Sequence, residues 1–233
     1  GFTQQYTNEI RKFIIEYGQD VPLVKNYSAI KDTVNLHRRA YNLVPQVFKN
    51  DELGFTMFSG VFQYREDIPF TNFVDINGGS YTVNNSFIQK YSHYHNAVLP
   101  LYDNTTGTMF SIFFGGIARY YPDVNGKLID NKEVPFTKTI SVIVRKGEEV
   151  HEMYLPQQMP GYLGAAAEFI FMPEAVLYKD GIADARLPEN EEFLIGYILG
   201  GINSSAGNIF FVNTGEESRA NGSIIRVYLK RKK

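Results

Sequence analysis

Ser111-Ile112-Phe113-Phe114-Gly115-Gly116-Ile117 is apolar at consecutive positions and ends on paired glycines. A strand with one wet face alternates apolar and polar residues, so a short unbroken apolar run reads as a strand covered on both faces. Glycines at its end permit a bulge or close backbone approach where strands crowd. An apolar strand ending in glycine occurs three times, with Phe55-Thr56-Met57-Phe58-Ser59-Gly60-Val61 upstream and Ile195-Gly196-Tyr197-Ile198-Leu199-Gly200-Gly201-Ile202 downstream. Pro45 stands 15 residues before Gly60, and Pro100 stands 15 before Gly115. A second motif has the same recurrence. Ile68-Pro69-Phe70-Thr71-Asn72-Phe73-Val74 resembles Val134-Pro135-Phe136-Thr137-Lys138-Thr139-Ile140, 66 residues later, and a fainter copy begins at Thr7-Asn8-Glu9-Ile10.

Self-similarity at a fixed period is the mark of a repeat architecture. Short strands, glycine turns and a period of about 65 residues fit the blades of a β-propeller with long loops. Composition agrees with strands. Phe and Tyr supply 15% of the chain with no tryptophan, and there are 20 glycines, many flanking short apolar runs. The expected fold is all-β: one propeller domain over 1–233, with repeat units at about 7–70, 71–136 and 137–212. Ser223 to Leu229 is expected to close the ring by pairing with the N-terminal segment. Tyr6, Ile10, Phe13, Ile14 and Tyr17 recur at helical spacing, but the repeat register sets Ile10–Ile15 opposite Ile140–Val144, and strand is the preferred reading. Three blades fall short of the four that a closed propeller typically needs. Either the chain is the C-terminal portion of a larger ring, or two copies complete one, or each unit hides more than one short blade.

Several function classes drop out on composition. With no cysteine there is no disulfide, no thiolate metal site and no cysteine nucleophile. A net charge of −2 argues against a whole-surface nucleic-acid binder, and the Lys230-Arg231-Lys232-Lys233 run reads as a solvated tail. The longest apolar stretch, Phe193 to Ile202, is about half of what a spanning helix needs, so no transmembrane segment is expected. No charged region followed by an apolar one opens the chain as a signal peptide would.

A strand ending Phe-Phe-Gly-Gly-Ile or Leu-Gly-Gly-Ile, preceded by a strand containing His and Tyr, resembles a degenerate kelch repeat. The chain is similar to an uncharacterised group of secreted, Bacteroidetes-type kelch-like proteins. The matching residues are His37-Arg38-Arg39-Ala40-Tyr41-Asn42, Phe58-Ser59-Gly60-Val61-Phe62, Phe113 to Ile117 and Gly200-Gly201-Ile202-Asn203-Ser204-Ser205. The likeness runs from about Asn8 to Leu229. It implies a secreted or cell-envelope location and further blades upstream. The usual kelch tryptophan and second-strand tyrosine pattern are absent.

The chemistry-bearing residues are few. His37, His93, His95 and His151 are the only histidines. His93 and His95 are two apart, so on a strand they share a face and, with Asp103 or another carboxylate, could hold a divalent metal. His93 and His37 also stand at equivalent repeat positions, which favours a scaffold role such as bonding a backbone carbonyl. Arg38 and Arg39 could take a carboxylate ligand at a channel mouth, or tie turns together. The carboxylates Asp103, Asp130, Glu168 and Asp184 are scattered, and Glu168 sits in an otherwise small and apolar strand. Gly-x-Ser-x-Gly, phosphate-cradling loops and His-Glu-x-x-His are absent, and no catalytic residue is assigned. Galactose-oxidase-like chemistry needs a cross-linked cysteine and is excluded.

Loop aromatics carry the strongest binding signal. Phe62-Gln63-Tyr64-Arg65-Glu66-Asp67 and Arg119-Tyr120-Tyr121-Pro122-Asp123 follow the glycine strands and should cluster on one propeller face. Tyr64, Arg65, Arg119, Tyr120 and Tyr121, with Arg38 and Arg39, form the expected ligand-binding set. The preferred function is a non-catalytic scaffold recognising protein or glycan through these loops. The alternatives are a carbohydrate-active or metal-assisted enzyme at His93/His95, and a purely structural part of a larger propeller. No cofactor is implied apart from that divalent metal. A homodimer is the expected partner state if two copies share a ring.

Overall fold

The computed structural model describes residues 6–18, 21–179, 181–186, 191–212 and 214–231. The chain is all-β. Among the described residues no helix is long and apolar enough to cross a membrane.

An antiparallel hairpin of β1 (Glu9–Tyr17) and β2 (Pro22–Lys31) opens the fold, so the segment with helical spacing is a strand. A first sheet follows as the meander β3 (Asn42–Val47), β4 (Leu53–Phe58), β5 (Phe73–Asn77) and β6 (Ser80–Asn84). The second sheet begins with β7 (Val98–Asp103) and β8 (Thr108–Phe114). After a small inserted hairpin, β9 (Tyr120–Pro122) and β10 (Leu128–Asp130), it resumes with β11 (Thr139–Lys146) and β12 (Glu149–Gln158). The third sheet starts at β13 (Ala167–Phe171), followed by the hairpin β14 (Leu177–Lys179) and β15 (Ile182–Asp184). That hairpin adds to the second sheet through a parallel β15–β7 contact. β16 (Glu192–Gly200) returns to the third sheet. A β17 (Ile202–Ser204) and β18 (Ser218–Ala220) pair is then inserted, and β19 (Ile225–Lys230) is the last strand, giving the order β13-β16-β19.

The three sheets stack face to face in chain order. β8 shows why it is apolar at consecutive positions: its side chains alternate between two neighbours. Phe113 joins Val44, Phe58, Phe73 and Ile143 between the first and second sheets. Phe114, one residue on, joins Leu99, Ala167, Ile195, Ile198 and Val227 between the second and third. Polar ties cross the first of these interfaces. Gln46 Nε2 donates to Ser111 Oγ at 2.9 Å. The Arg145 guanidinium donates to both Asp75 oxygens at 3.0 and 2.8 Å, and lies 5.0 Å from the Phe73 ring centre.

Each second strand ends in a pair of left-handed residues: Ser59 and Gly60 (φ 44° and 94°), Gly115 and Gly116 (63° and 89°), Gly200 and Gly201 (73° and 81°). The carbonyl of the second member accepts from the returning chain, at Phe70, Thr137 and Asn221 respectively, over 2.8, 2.9 and 2.8 Å. Glycine is needed here for space as well as for φ. A Cβ on Gly115 would stand 2.2 Å from the Leu163 carbonyl oxygen.

Two expectations about organisation change. The units expected at 7–70, 71–136 and 137–212 split every sheet, because Pro-Phe-Thr marks the approach to a sheet's returning strand and not the start of a sheet. The two motifs are also offset by one residue, since Thr137 and not Phe136 occupies Phe70's hydrogen-bonding place. The expected closing strand is overturned too. β19 pairs with β16, while β1 pairs with β2, its neighbour in sequence.

Asp32 anchors the exit from β2. It accepts from the Asn35 N–H and side-chain amide, the Val34 N–H and the Tyr81 hydroxyl over 2.8–2.9 Å. Burial pushes its carboxyl up, but these donors outweigh burial and hold it at about 2. A carboxyl held below its unfolded value stabilises the fold above that value, and the contribution is lost as pH falls through about 2. Asp32→Asn is therefore expected to unfold at lower urea than the parent at pH 7, with the gap narrowing between pH 4 and 2. A gap of the same size at both ends would refute the assignment.

Candidate functional site

The insertions that follow the second and third left-handed pairs meet. The Phe136 N–H donates to the Gly207 carbonyl at 2.7 Å, and the Phe136 ring stacks on Phe210 at 5.6 Å. The Asn208 side-chain amide donates to the Glu133 carboxylate. These contacts join the approach to β11 with the loop between β17 and β18. A cleft of about 440 Å3 lies between them, open to solvent.

Tyr121, Asn131, Lys138, Gln158, Tyr162 and Asn208 supply its functional lining. β9 presents Tyr121, paired in register with Ile129 of β10. Gln158, at the end of β12, is held opposite Thr139 of β11. Tyr162 is fixed by a bridge to Ser204, and Lys138 Nζ lies 4.8 Å over its ring. Flat rings beside one ammonium and several amides are suited to a polar ligand with apolar faces, held by stacking and hydrogen bonds.

Only Tyr121 of the sequence-predicted binding residues lines this cleft. Arg38 is buried and donates to the carbonyls of Asn35, Ser59 and Asn72 and to Asn72 Oδ1, over 2.6–3.0 Å. It pins the first sheet's loops. Arg39 is exposed, with its guanidinium 6.0 Å from the Phe62 ring. Arg119 forms a fork on Asp130 at 2.6 and 2.8 Å, over the ring of Tyr120, and that pairing pushes Arg119 up and Asp130 down. Tyr120 in turn edges onto His93 at 6.1 Å. Tyr64 is exposed, its ring 5.8 Å from His37, and Arg65 is exposed beside it. Sequence reasoning does not single out Asn131, Lys138, Gln158, Tyr162 or Asn208. Lys138 lies inside the Pro-Phe-Thr-Lys motif, which with Tyr121 of the loop aromatics is the sequence signal for the cleft.

The expected metal pair does not form. Residues 93–95 are not a strand, so His93 and His95 do not share a face. His93 is fully buried, with both ring nitrogens bound to backbone: Nδ1 accepts from the Arg119 N–H at 3.1 Å and Nε2 donates to the Gln89 carbonyl at 3.3 Å. Burial holds its imidazole down at about 4. His37 likewise bonds a backbone carbonyl, that of Phe62, at 2.9 Å. Among the described residues no three His, Asp or Glu side chains gather as a metal site would require. The other carboxylates are committed. Asp184 pairs with Arg186, and Asp103 accepts from Thr105 and Thr106 in the turn after β7.

His95 has a different partner. Its Nε2 lies 2.8 Å from Glu168 Oε1. The two stand in a small groove of about 110 Å3 lined by β3, β7 and β13, the first strands of the three sheets. A histidine oriented by a carboxylate is one half of an acid–base unit, but no nucleophile accompanies it in the groove.

Compared with protein-family models, curated proteins and solved structures, the chain matches none.

Proposed function

We propose that the chain is a non-catalytic binding module built from three kelch-like propeller blades, secreted or attached to the cell envelope, that recognises a short glycan. The cleft between the second and third sheets' insertions carries this reading: Tyr121 and Tyr162 offer flat apolar surfaces, and Lys138, Gln158, Asn131 and Asn208 ring them with hydrogen-bonding groups. The stacked sheets and the left-handed pair after each second strand support the blade assignment.

A glycan array followed by calorimetry on its best saccharide tests the proposal. Binding is expected, with Tyr162→Ala and Lys138→Ala each weakening it at least about tenfold, as loss of a stacking ring or an ammonium contact should. An array without a saccharide ligand, or one whose hits ignore both substitutions, would overturn it. One observation favours a second reading, the His95–Glu168 hydrogen bond. Saccharide hydrolysis by the parent protein that His95→Ala abolishes would move the function to that groove.

A further inference from the structure

We infer that the outer face of the third sheet docks on the outer face of the first sheet in a second copy, so that two chains close one ring. This rests on reading the sheets as blades. The register carries the argument. Two residues before the end of each left-handed pair stand Phe58, Phe114 and Leu199. The second sheet covers Phe58 and the third covers Phe114, leaving them 0% and 6% exposed, whereas Leu199 is 44% exposed. Val44, Leu99 and Ile170 pair with Thr56, Ile112 and Tyr197, again at one common register place. They are 3%, 0% and 47% exposed. The positions with which each sheet holds the next are thus apolar in the last sheet as well, where no described residue covers them.

The opposite end of the stack mirrors this. The second and third sheets receive their predecessors with the cross-strand pairs Val98–Phe113 and Phe169–Ile198. The first sheet has Leu43–Met57 in that place. Met57 is covered by Leu36 and its neighbours, but Leu43 is exposed, with exposed Leu53 and Phe55 beside it. A groove of about 510 Å3 opens there, its far wall formed by the β1–β2 hairpin. Each chain therefore has an unused donor face at one end and a half-filled receiving face at the other.

That continuity selects a second copy as the occupant. A contact between two different faces makes a ring only if the rotation closes. Propellers close at about four to eight blades; two copies reach six, whereas one copy falls short.

Light scattering over a hundredfold concentration range tests the inference. The expected mass is twice the 26.5 kDa of one chain. Leu199→Glu and Leu43→Glu should each raise the dissociation constant at least about a hundredfold, since each buries a charge at the contact. Both sites are exposed in the single chain, so circular dichroism of either variant should match the parent. Mixing the two variants should restore a dimer, because the mixed pair keeps one of its two contacts intact. A parent protein that stays monomeric throughout would overturn the proposal, including the case in which another protein covers these faces. So would a dimer broken by Leu199→Glu but not by Leu43→Glu, which would mean a symmetric contact of third sheets. A Gln46→Cys, Ser111→Cys variant separates this from the blade reading, because the chain has no cysteine of its own. An oxidised cross-link in a monomer leaves the stack standing and sinks only the ring. Failure to cross-link both on oxidation and with a short thiol-reactive bifunctional reagent would sink the stack.

Discussion

Phe58→Ala is expected to remove about 3–5 kcal/mol of stability, the usual cost of emptying a buried aromatic site. Phe58 is fully buried, and its ring meets Phe73 at 5.7 Å and Phe113 at 5.4 Å, both edge-on. Those partners come from β5 of the same sheet and β8 of the next, so the cavity would open in the middle of a sheet-to-sheet interface. Backbone hydrogen bonding on both sides limits collapse into the gap, which keeps the cost high. Domains are stable by only about 5–15 kcal/mol, so the variant should unfold at far lower urea than its parent. Tyr64→Ala on the exposed loop is the control and should shift the midpoint little. A loss below about 1 kcal/mol for Phe58→Ala would mean that the two sheets do not share this core.

The second large effect is a change in the pH dependence of stability between neutral pH and pH 4 on replacing His93, whose contribution falls over this range while that of Glu152, pushed up to about 8 by burial, rises. Burial lowers its imidazole from the ordinary 6.5 to about 4; its hydrogen bond to Gln89 opposes the shift and the Arg119 charge adds to it. Between those values the unfolded chain takes up a proton that the folded chain refuses. The contribution of His93 is therefore fully present above 6.5 and is lost as pH falls toward 4, by about 3 kcal/mol. His93→Asn should start less stable than the parent at pH 7.5, with its deficit shrinking as pH falls to 4. Parallel slopes for parent and variant, measured by urea unfolding at pH 7.5, 5.5 and 4, would assign the effect elsewhere. The window does not overlap that of Asp32, whose contribution fades only between about 4 and 2.

Much of the strand architecture was legible because it is written locally. The unbroken apolar run at Ile112–Phe114 reports two covered faces wherever it lies, and paired glycines report a left-handed turn. Pairing was harder to read, because which strand takes β19 is decided by residues outside it. β16 wins over the N-terminal strand through contacts invisible in either segment alone. The site was the least legible part. Lys138 and Tyr162 meet across 24 positions, and His95 and Glu168 across 73. No spacing rule links such pairs. Pairing His93 with His95 assumed an extended backbone through residues 93–95, whereas the chain there is irregular, with Ser92 left-handed just before it. That irregularity turns one imidazole into the core and the other toward the groove.

The stacked order makes the chain a short linear array with one member in the middle. The second sheet touches both of the others, through Phe113 on one face and Phe114 on the other. Adjacent positions on one strand therefore serve separate interfaces, and damage at either reaches only one neighbour. A lesion confined to the third sheet can leave the first two clasped by Arg145 and Asp75, whereas a lesion in β8 cuts the array in two.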